Sequence, residues 1–325
     1  MTKAIRIHAY GGPEAMSWDD VEVGEPGEDE ALVRHTAVGL NFIDVYMRSG
    51  QYPQPAFPAG IGLEGAGVVE AVGAGVDQVA VGDRVAYAGG PPGSYCQSRL
   101  MPAAQLVIIP DGVEDNQAAA MMLKGMTVEY LLRRTYPVKP GDTILFHAAA
   151  GGVGLIACQW AKRLGATVIG TVGNAAKAEE AAAHGCDHPI IVTEENFVAK
   201  VREITDGAGV LVVYDSVGKA TFNGSLDCLS PLGMMVLFGQ SSGPVPPFEI
   251  ATLAAKGSLF LTRPSLMAYN AKREALAASA AALFDVIAAG HVKIEINQTY
   301  PLEDVIQAHT DLEARKTTGS TVLVP

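Results

Sequence analysis

The chain has 325 residues, 49% of them apolar and 18% charged, with a formal net charge of −12. That length suits two domains of ordinary size, each with its own core. The acidic balance makes nucleic acid and anionic membranes poor partners, so an anionic ligand must be held by a local basic group or by backbone amides. The four cysteines, Cys96, Cys158, Cys186 and Cys228, are scattered and form no C-x-x-C pair. This spacing argues against a zinc lobe and a disulfide framework, and for buried free thiols in a reducing cytoplasm. The opening MTKAIRIHAYGG has no long apolar core, so no signal peptide is expected, and no apolar run nears the ~20 residues of a membrane span.

In chain order, the first third breaks into short strand-like runs at Ile5–His8, Ala31–Val38, Gly65–Val72, Arg84–Ala88 and Gln105–Ile109. Gly- and Pro-rich turns separate them and few long helices fit, which predicts an antiparallel, barrel-like domain. The middle third alternates. Thr143–His147 (TILFH) follows the turn residues Pro140-Gly141-Asp142, and Val153, Ile156, Ala157, Trp160, Ala161 and Leu164 then recur at helical spacing up to Gly165. Thr167–Thr171, Pro189–Val192, Val210–Asp215, Met234–Phe238 and Ser258–Thr262 read as further strands, and Asn174–His184 as a helix. Six strands alternating with helices predict a parallel, doubly wound sheet. After a long helix near Ala271–Ala289, strand-like YPL and STVLV close the chain, predicting a return to the first domain, so that the sheet domain is inserted.

The strand TILFH runs into Ala148-Ala149-Ala150-Gly151-Gly152-Val153-Gly154, an A-x-x-G-x-x-G variant of the dinucleotide fingerprint between a strand and a helix. Small residues are needed there so that backbone amides can approach a pyrophosphate at the helix N-terminus. A site selective for NADH carries an Asp or Glu roughly 20 residues on, to hold the ribose hydroxyl. Here the second strand ends Gly170-Thr171-Val172-Gly173-Asn174, with no acid, and Lys177 follows. A carboxylate would repel a 2′-phosphate and a lysine attracts it, so NADPH is expected over NADH.

Gly239-Gln240-Ser241-Ser242-Gly243 matches the nucleophile elbow of serine hydrolases. The prolines Pro244, Pro246 and Pro247 then forbid the helix that such an elbow needs, so a polar loop at the ligand edge of the sheet is expected instead. The Tyr-x-x-x-Lys pair of short-chain dehydrogenases is absent.

Long segments of the chain resemble the medium-chain dehydrogenase/reductase superfamily, and within it the NADPH:quinone oxidoreductases of the zeta-crystallin type. They include VGLNFIDVYMRSGQYP, GLEGAGVVEAVGAGV, LKGMTVEYLLRRTY, HAAAGGVGLIACQWAKRLGATVIGTVG, VVYDSVG, LFGQSSG and LTRPSL. The resemblance implies a GroES-like antiparallel barrel from residues 1–125 and 265–325, with a six-stranded parallel Rossmann sheet domain inserted over 126–264. It places Asn41 and Tyr46 at the nicotinamide and substrate end, as catalytic donors, with Tyr52 as an aromatic wall for the substrate. Lys124 and Thr127 come near the nicotinamide side of the cofactor, and Gly151, Gly152, Val153 and Gly154 at the pyrophosphate. Gly173 and Lys177 would surround the 2′-phosphate, and Ser216, Phe238, Gly239, Ser241 and Arg263 would complete the cofactor site. It further implies a cytoplasmic homodimer formed through the sheet domain, whose last strand is Ser258–Thr262. One position departs from the family pattern. Val192 stands where members often have a tyrosine beside the adenine phosphate, which would weaken the preference for NADPH.

No metal is expected. Asn41 and Leu63 occupy the segments where a zinc alcohol dehydrogenase places Cys and His, and Glu64 alone cannot hold a catalytic zinc. Without a Lewis acid, the favoured acceptors are those that delocalise the arriving charge themselves, namely quinones and conjugated enones. The resemblance selects the quinone. A 2-alkenal or enone reductase on the same scaffold and a non-catalytic NADPH-binding protein are the alternatives.

Overall fold

In the computed structural model, which describes all 325 residues, the apolar runs of the middle third form one parallel sheet. Across it the strands run His188–Ile191, Thr167–Val172, Thr143–His147, Val210–Asp215, Leu229–Leu237 and Phe260–Thr262. In chain order that is third, second, first, fourth, fifth and sixth, the doubly wound arrangement of a dinucleotide-binding sheet. Ile144–Phe146, Val168–Ile169 and Val212–Tyr214 are buried, as central strands covered on both faces must be. Leu145, Ile169, Val213, Phe222, Leu226 and Met235 form one continuous core. The first helix of the sheet, Gly152–Arg163, stops where Gly165 takes φ 88°, a conformation that costs other residues a steric clash. This unit comprises Thr127–Tyr269 and Asp285–Lys293, the latter tied in by Gln159, whose side chain bonds both the N–H and the carbonyl of Lys293.

The other unit comprises Met1–Met126, Asn270–Phe284 and Ile294–Pro325. Its hub is the long strand Glu30–Leu40, which pairs antiparallel with Glu64–Val72, Ser98–Pro102 and Ser320–Val324. The C-terminal strand thus lies beside residues near the start of the chain. One pair, Ile296–Pro301 with Ser320–Val324, is parallel. A smaller sheet joins Met16–Val21, Thr2–Ile7 and Ala59–Gly60. Two cores fill the unit, one around Ile7, Val38, Ile61 and Leu323 and one around Val33, Val69, Val85 and Met101.

Several elements differ from the sequence reading. The run Gln105–Ile109 yields only a two-residue strand, Val107–Ile108, because Ala103–Gln105 coils into a 3₁₀ turn. Met16–Val21 is an edge strand with one partner, too mixed in polarity to stand out. The helix Asp115–Tyr130 runs counter to the expectation of few helices. Its stretch Ala118–Met122 is buried all round, which hides the helical period. No helix in the chain is long and apolar enough to cross a membrane.

Candidate active site

The candidate residues of the antiparallel unit gather around a seven-residue helix, Phe42–Arg48. Asn41 caps it in extended conformation, and the carboxyl of Asp44, at the third helical position, accepts the Asn41 N–H at 2.9 Å. The Asn41 side chain donates through Nδ2 to Glu64 Oε2 at 2.7 Å, and Lys124 Nζ reaches the same oxygen at 3.2 Å. Glu64 Oε1 accepts the Leu123 N–H at 2.7 Å. Three donors therefore converge on one carboxylate, and Asn41, Glu64 and Lys124 are all buried. Gly39 leaves room for it, since a Cβ there would lie 2.2 Å from Glu64 Oε2. On the same helix Tyr46 is buried, with its ring 5.3 Å from that of half-buried Tyr52 in an edge contact.

Behind Asp44 lies a chain of polar side chains that the sequence reading did not single out. Tyr95 donates its hydroxyl to Asp44 Oδ2 at 2.8 Å and contacts His309 Nε2 at 3.1 Å, and Arg48 donates to His309 Nδ1 at 2.9 Å. Arg48 also pairs with Glu313 at 2.7 Å. Burial pushes the Asp44 carboxyl up to about 7, against the pull of its hydrogen bonds and of Lys124. Burial and the Arg48 charge hold His309 neutral, down at about 3. The sequence signal was local, an Asn-x-x-Asp capping pair opening a helix. Tyr95 and His309 are distant in sequence and could not have been found from it.

In the sheet unit the glycine turn lies where the fingerprint places it. Ala148 takes φ 57°, and Gly151 caps the helix Gly152–Arg163 with no side-chain hydrogen bond at the cap, which leaves the first-turn amides without a capping side chain. Gly154 is obligatory, because a Cβ would stand 2.4 Å from the Ala148 carbonyl and 2.5 Å from that of Ala149. At the end of the next strand, Gly173 accepts a hydrogen bond from Thr193 Oγ1 at 3.2 Å, and the Lys177 N–H is capped by Asn174. Val192 is exposed and supplies no hydroxyl, but its neighbour Thr193 does.

His147, buried at the end of the first strand, links three strand ends. Its Nδ1 meets Thr171 Oγ1 at 2.8 Å and its Nε2 meets Ser225 Oγ at 2.9 Å, while Ser225 donates to Asp215 Oδ2 at 3.0 Å. Burial lowers the affinity of His147 for a second proton, and the Asp215 charge only partly opposes this. Asp215 also accepts Val217 N–H, Gly218 N–H and Thr221 Oγ1–H. This fixes the turn that carries half-buried Ser216, whose carbonyl accepts the Ser241 N–H at 3.1 Å. Gly239 packs so closely here that a Cβ would sit 2.6 Å from the Ser216 carbonyl. Arg263 clamps the same loop through the carbonyls of Leu237 and Gly239 at 3.1 and 2.9 Å, and Phe238 lies 5.7 Å from the Phe146 ring. Residues 239–243 form a loop, and no helix begins until Ala251, so Ser241 is no hydrolase nucleophile. Thr127 is buried.

Nowhere do three His, Cys, Asp or Glu side chains converge as a metal site would require. His184 and His188 stand four apart, an H-x-x-x-H spacing. His184 ends the helix Ala175–Ala183 and bonds the Glu180 carbonyl, whereas His188 opens a strand, so the two share no helix face. All four cysteines are free and buried.

A parallel sheet in 3-2-1-4-5-6 order with a glycine turn at its first strand, together with an antiparallel unit bearing a buried Asn–Glu–Lys cluster, defines a dehydrogenase of the medium-chain type. Comparison with known families agrees. The alcohol dehydrogenase GroES-like domain matches residues 27–111, and the zinc-binding dehydrogenase domain matches 152–281. A quinone oxidoreductase of Pseudomonas aeruginosa is 54% identical over 325 residues, 100% of both chains. The solved structure of Escherichia coli quinone oxidoreductase complexed with NADPH is 49% identical, with a TM-score of 0.98 over 99% of this chain and 100% of that one. A 2-haloacrylate reductase of a Burkholderia species is 46% identical over 100% of this chain and 99% of its own. The chain belongs to the quinone oxidoreductase family of the medium-chain dehydrogenases/reductases.

Proposed function

We propose that the chain is an NADPH-dependent quinone oxidoreductase that works without zinc. The observation that carries this reading is the engagement of Glu64. The carboxylate in the segment where a zinc dehydrogenase holds its metal receives Asn41, Lys124 and the Leu123 amide, and Asn41 and Leu63 offer no soft ligand beside it.

The residues present fit a phosphorylated dinucleotide. The amides of Gly152, Val153 and Gly154 in the first turn suit the pyrophosphate, and Gly173 and Lys177, with no acid between them, suit the 2′-phosphate. We assign Thr127, Ser216, Phe238, Gly239, Ser241 and Arg263, within residues 126–264, to the rest of the cofactor. Asn41, Tyr46, Tyr52 and Lys124, within residues 1–125 and 265–325, take the nicotinamide and substrate end. Bound NADPH supplies a hydride. The Asn41 amide and the Tyr46 hydroxyl donate hydrogen bonds to the acceptor oxygen on which charge develops, and Tyr52 bounds the acceptor ring. A quinone spreads that charge itself, so hydrogen bonds and orientation are sufficient.

We further assign a homodimer built on the open edge strand Phe260–Thr262, where Phe260 is 56% exposed, with Leu232 of the adjoining strand 68% exposed. A cytoplasmic location suits the four free thiols.

A second reading, reduction of an activated alkene, is favoured by the likeness to the 2-haloacrylate reductase. The test is NADPH oxidation with 1,4-benzoquinone in one cuvette and a conjugated alkenal in another. Fast oxidation with the quinone is expected. Oxidation with the alkenal alone would move the chain to the enone reductases, and none with either would leave a binding role.

A further inference from the structure

His147 stands outside the cofactor residues assigned above, yet its ring is buried with both nitrogens engaged and with Phe197 edge-on at 5.2 Å. The hydrogens of its network follow from the partners. Ser225 has a single hydroxyl hydrogen and gives it to Asp215 Oδ2 at 3.0 Å. The Ser225 oxygen therefore accepts from His147 Nε2 at 2.9 Å, so Nε2 carries the ring hydrogen. Burial lowers the affinity of the ring for a second proton, so Nδ1 is bare and accepts the Thr171 hydroxyl at 2.8 Å.

That direction matters at the next residue. Ala148, at φ 57°, holds a left-handed conformation that an L-residue keeps only where its surroundings impose it. Thr171 imposes it through two contacts. The Ala149 N–H donates to the Thr171 carbonyl at 3.0 Å, and the Ala148 N–H donates to Thr171 Oγ1 at 3.4 Å. The second contact is long, and it is attractive because the hydroxyl hydrogen points away, to His147. With no acceptor at Nδ1 that hydrogen can turn toward the Ala148 N–H, donor against donor. The Ala148 carbonyl in turn accepts the Gly151 N–H at 3.0 Å and leaves no room for a Cβ at Gly154. A displacement of Ala148 therefore passes directly into the glycine turn.

We propose that His147 is a positioning residue of the cofactor site: it orients the Thr171 hydroxyl, and through it the Ala148–Gly154 turn that takes the pyrophosphate. The proposal rests on the NADPH reading. His147 touches no cofactor atom itself. Asp215 fixes Ser225, Ser225 selects the ring tautomer, and the tautomer fixes Thr171. Asp215 also accepts the N–H groups of Val217 and Gly218, so one hydrogen-bond chain sets both the glycine turn and the turn that carries Ser216. The pyrophosphate is common to NADPH and NADH. The contribution of His147 therefore falls equally on both cofactors, whereas that of Lys177 falls on NADPH.

The test titrates the full-length protein with NADPH and with NADH, followed by cofactor fluorescence. His147→Phe keeps a ring and removes both hydrogen bonds, and Kd should rise about fivefold to tenfold for each cofactor. Thr171→Val leaves His147, Ser225 and Asp215 in place. It should give the same rise, and it decides the matter if His147→Phe does not fold. His147→Asn, whose Oδ1 takes the place of Nδ1, should restore most of the affinity. Glycine adopts a positive φ without strain, so Ala148→Gly added to either weakened variant should recover most of the lost affinity. The urea midpoint of that double variant should stay lowered, which separates positioning from a role in stability alone. Unchanged Kd values in folded Thr171→Val, a rise confined to NADPH, or no recovery with Ala148→Gly would overturn the proposal. A wild type that binds neither cofactor would refute the NADPH reading and the proposal with it.

Discussion

Two buried aspartates each end a hydrogen-bond chain that passes through a neutral histidine, one in each unit of the molecule. In the sheet unit, Asp215 accepts from Val217 N–H, Gly218 N–H, Thr221 and Ser225, and both its oxygens are occupied. In the antiparallel unit, Asp44 has two donors on one oxygen and none on the other. The same residue type, equally buried, has both oxygens engaged in one place and one oxygen bare in the other. At Asp44 two donors do not outweigh burial, which disfavours the charged form and raises its pKa.

The largest test of that contrast is Asp215→Ala, which strands two backbone amides and two hydroxyls. It should cost about 3 kcal/mol or more, read as a lower urea midpoint, at every pH. Asp44→Asn should behave differently. The folded-state Asp44 ionises near 7 and the unfolded one near ~4, so the folded protein holds this proton more tightly. Its contribution to stability is therefore complete below about pH 4 and declines as pH rises toward 7. Wild type should lose roughly 2–4 kcal/mol across that window relative to Asp44→Asn, whose stability lacks this slope. Equal pH slopes for the two proteins would break the contrast.

Smaller effects sharpen it on the cofactor side. Gly154→Ala drives a methyl into the Ala148 and Ala149 carbonyls and should cost about 1–3 kcal/mol while weakening NADPH binding, measured by cofactor fluorescence titration. Lys177→Glu should raise the Michaelis constant for NADPH about tenfold, near 1.4 kcal/mol, and that for NADH little. Equal changes for both cofactors would remove Lys177 from the phosphate site.

Much of this was legible in the chain itself. TILFH and VLVVYD are short apolar runs between turn residues, and Thr143–His147 and Val210–Asp215 have the bounds read from the sequence. The glycine turn was legible because its residue types are forced by backbone contacts within a few positions. Phe42–Arg48 was not, since seven residues of mixed polarity show no period and its cap is a single Asn–Asp pair. Glu64 appeared only as an inadequate metal ligand. Its role as the meeting point of Asn41 and Lys124 depends on residues 23 and 60 positions away in the chain. His147, Asp215, Tyr95 and His309 share that limitation, because their meaning lies in partners that only the fold assembles.

The account depends most on reduction of a quinone by NADPH without a metal. The most direct measurement is the rate of NADPH oxidation by benzoquinone before and after exhaustive chelation of the full-length protein. The rate should survive chelation undiminished and gain nothing from added zinc. A rate abolished by the chelator and restored by zinc would contradict it.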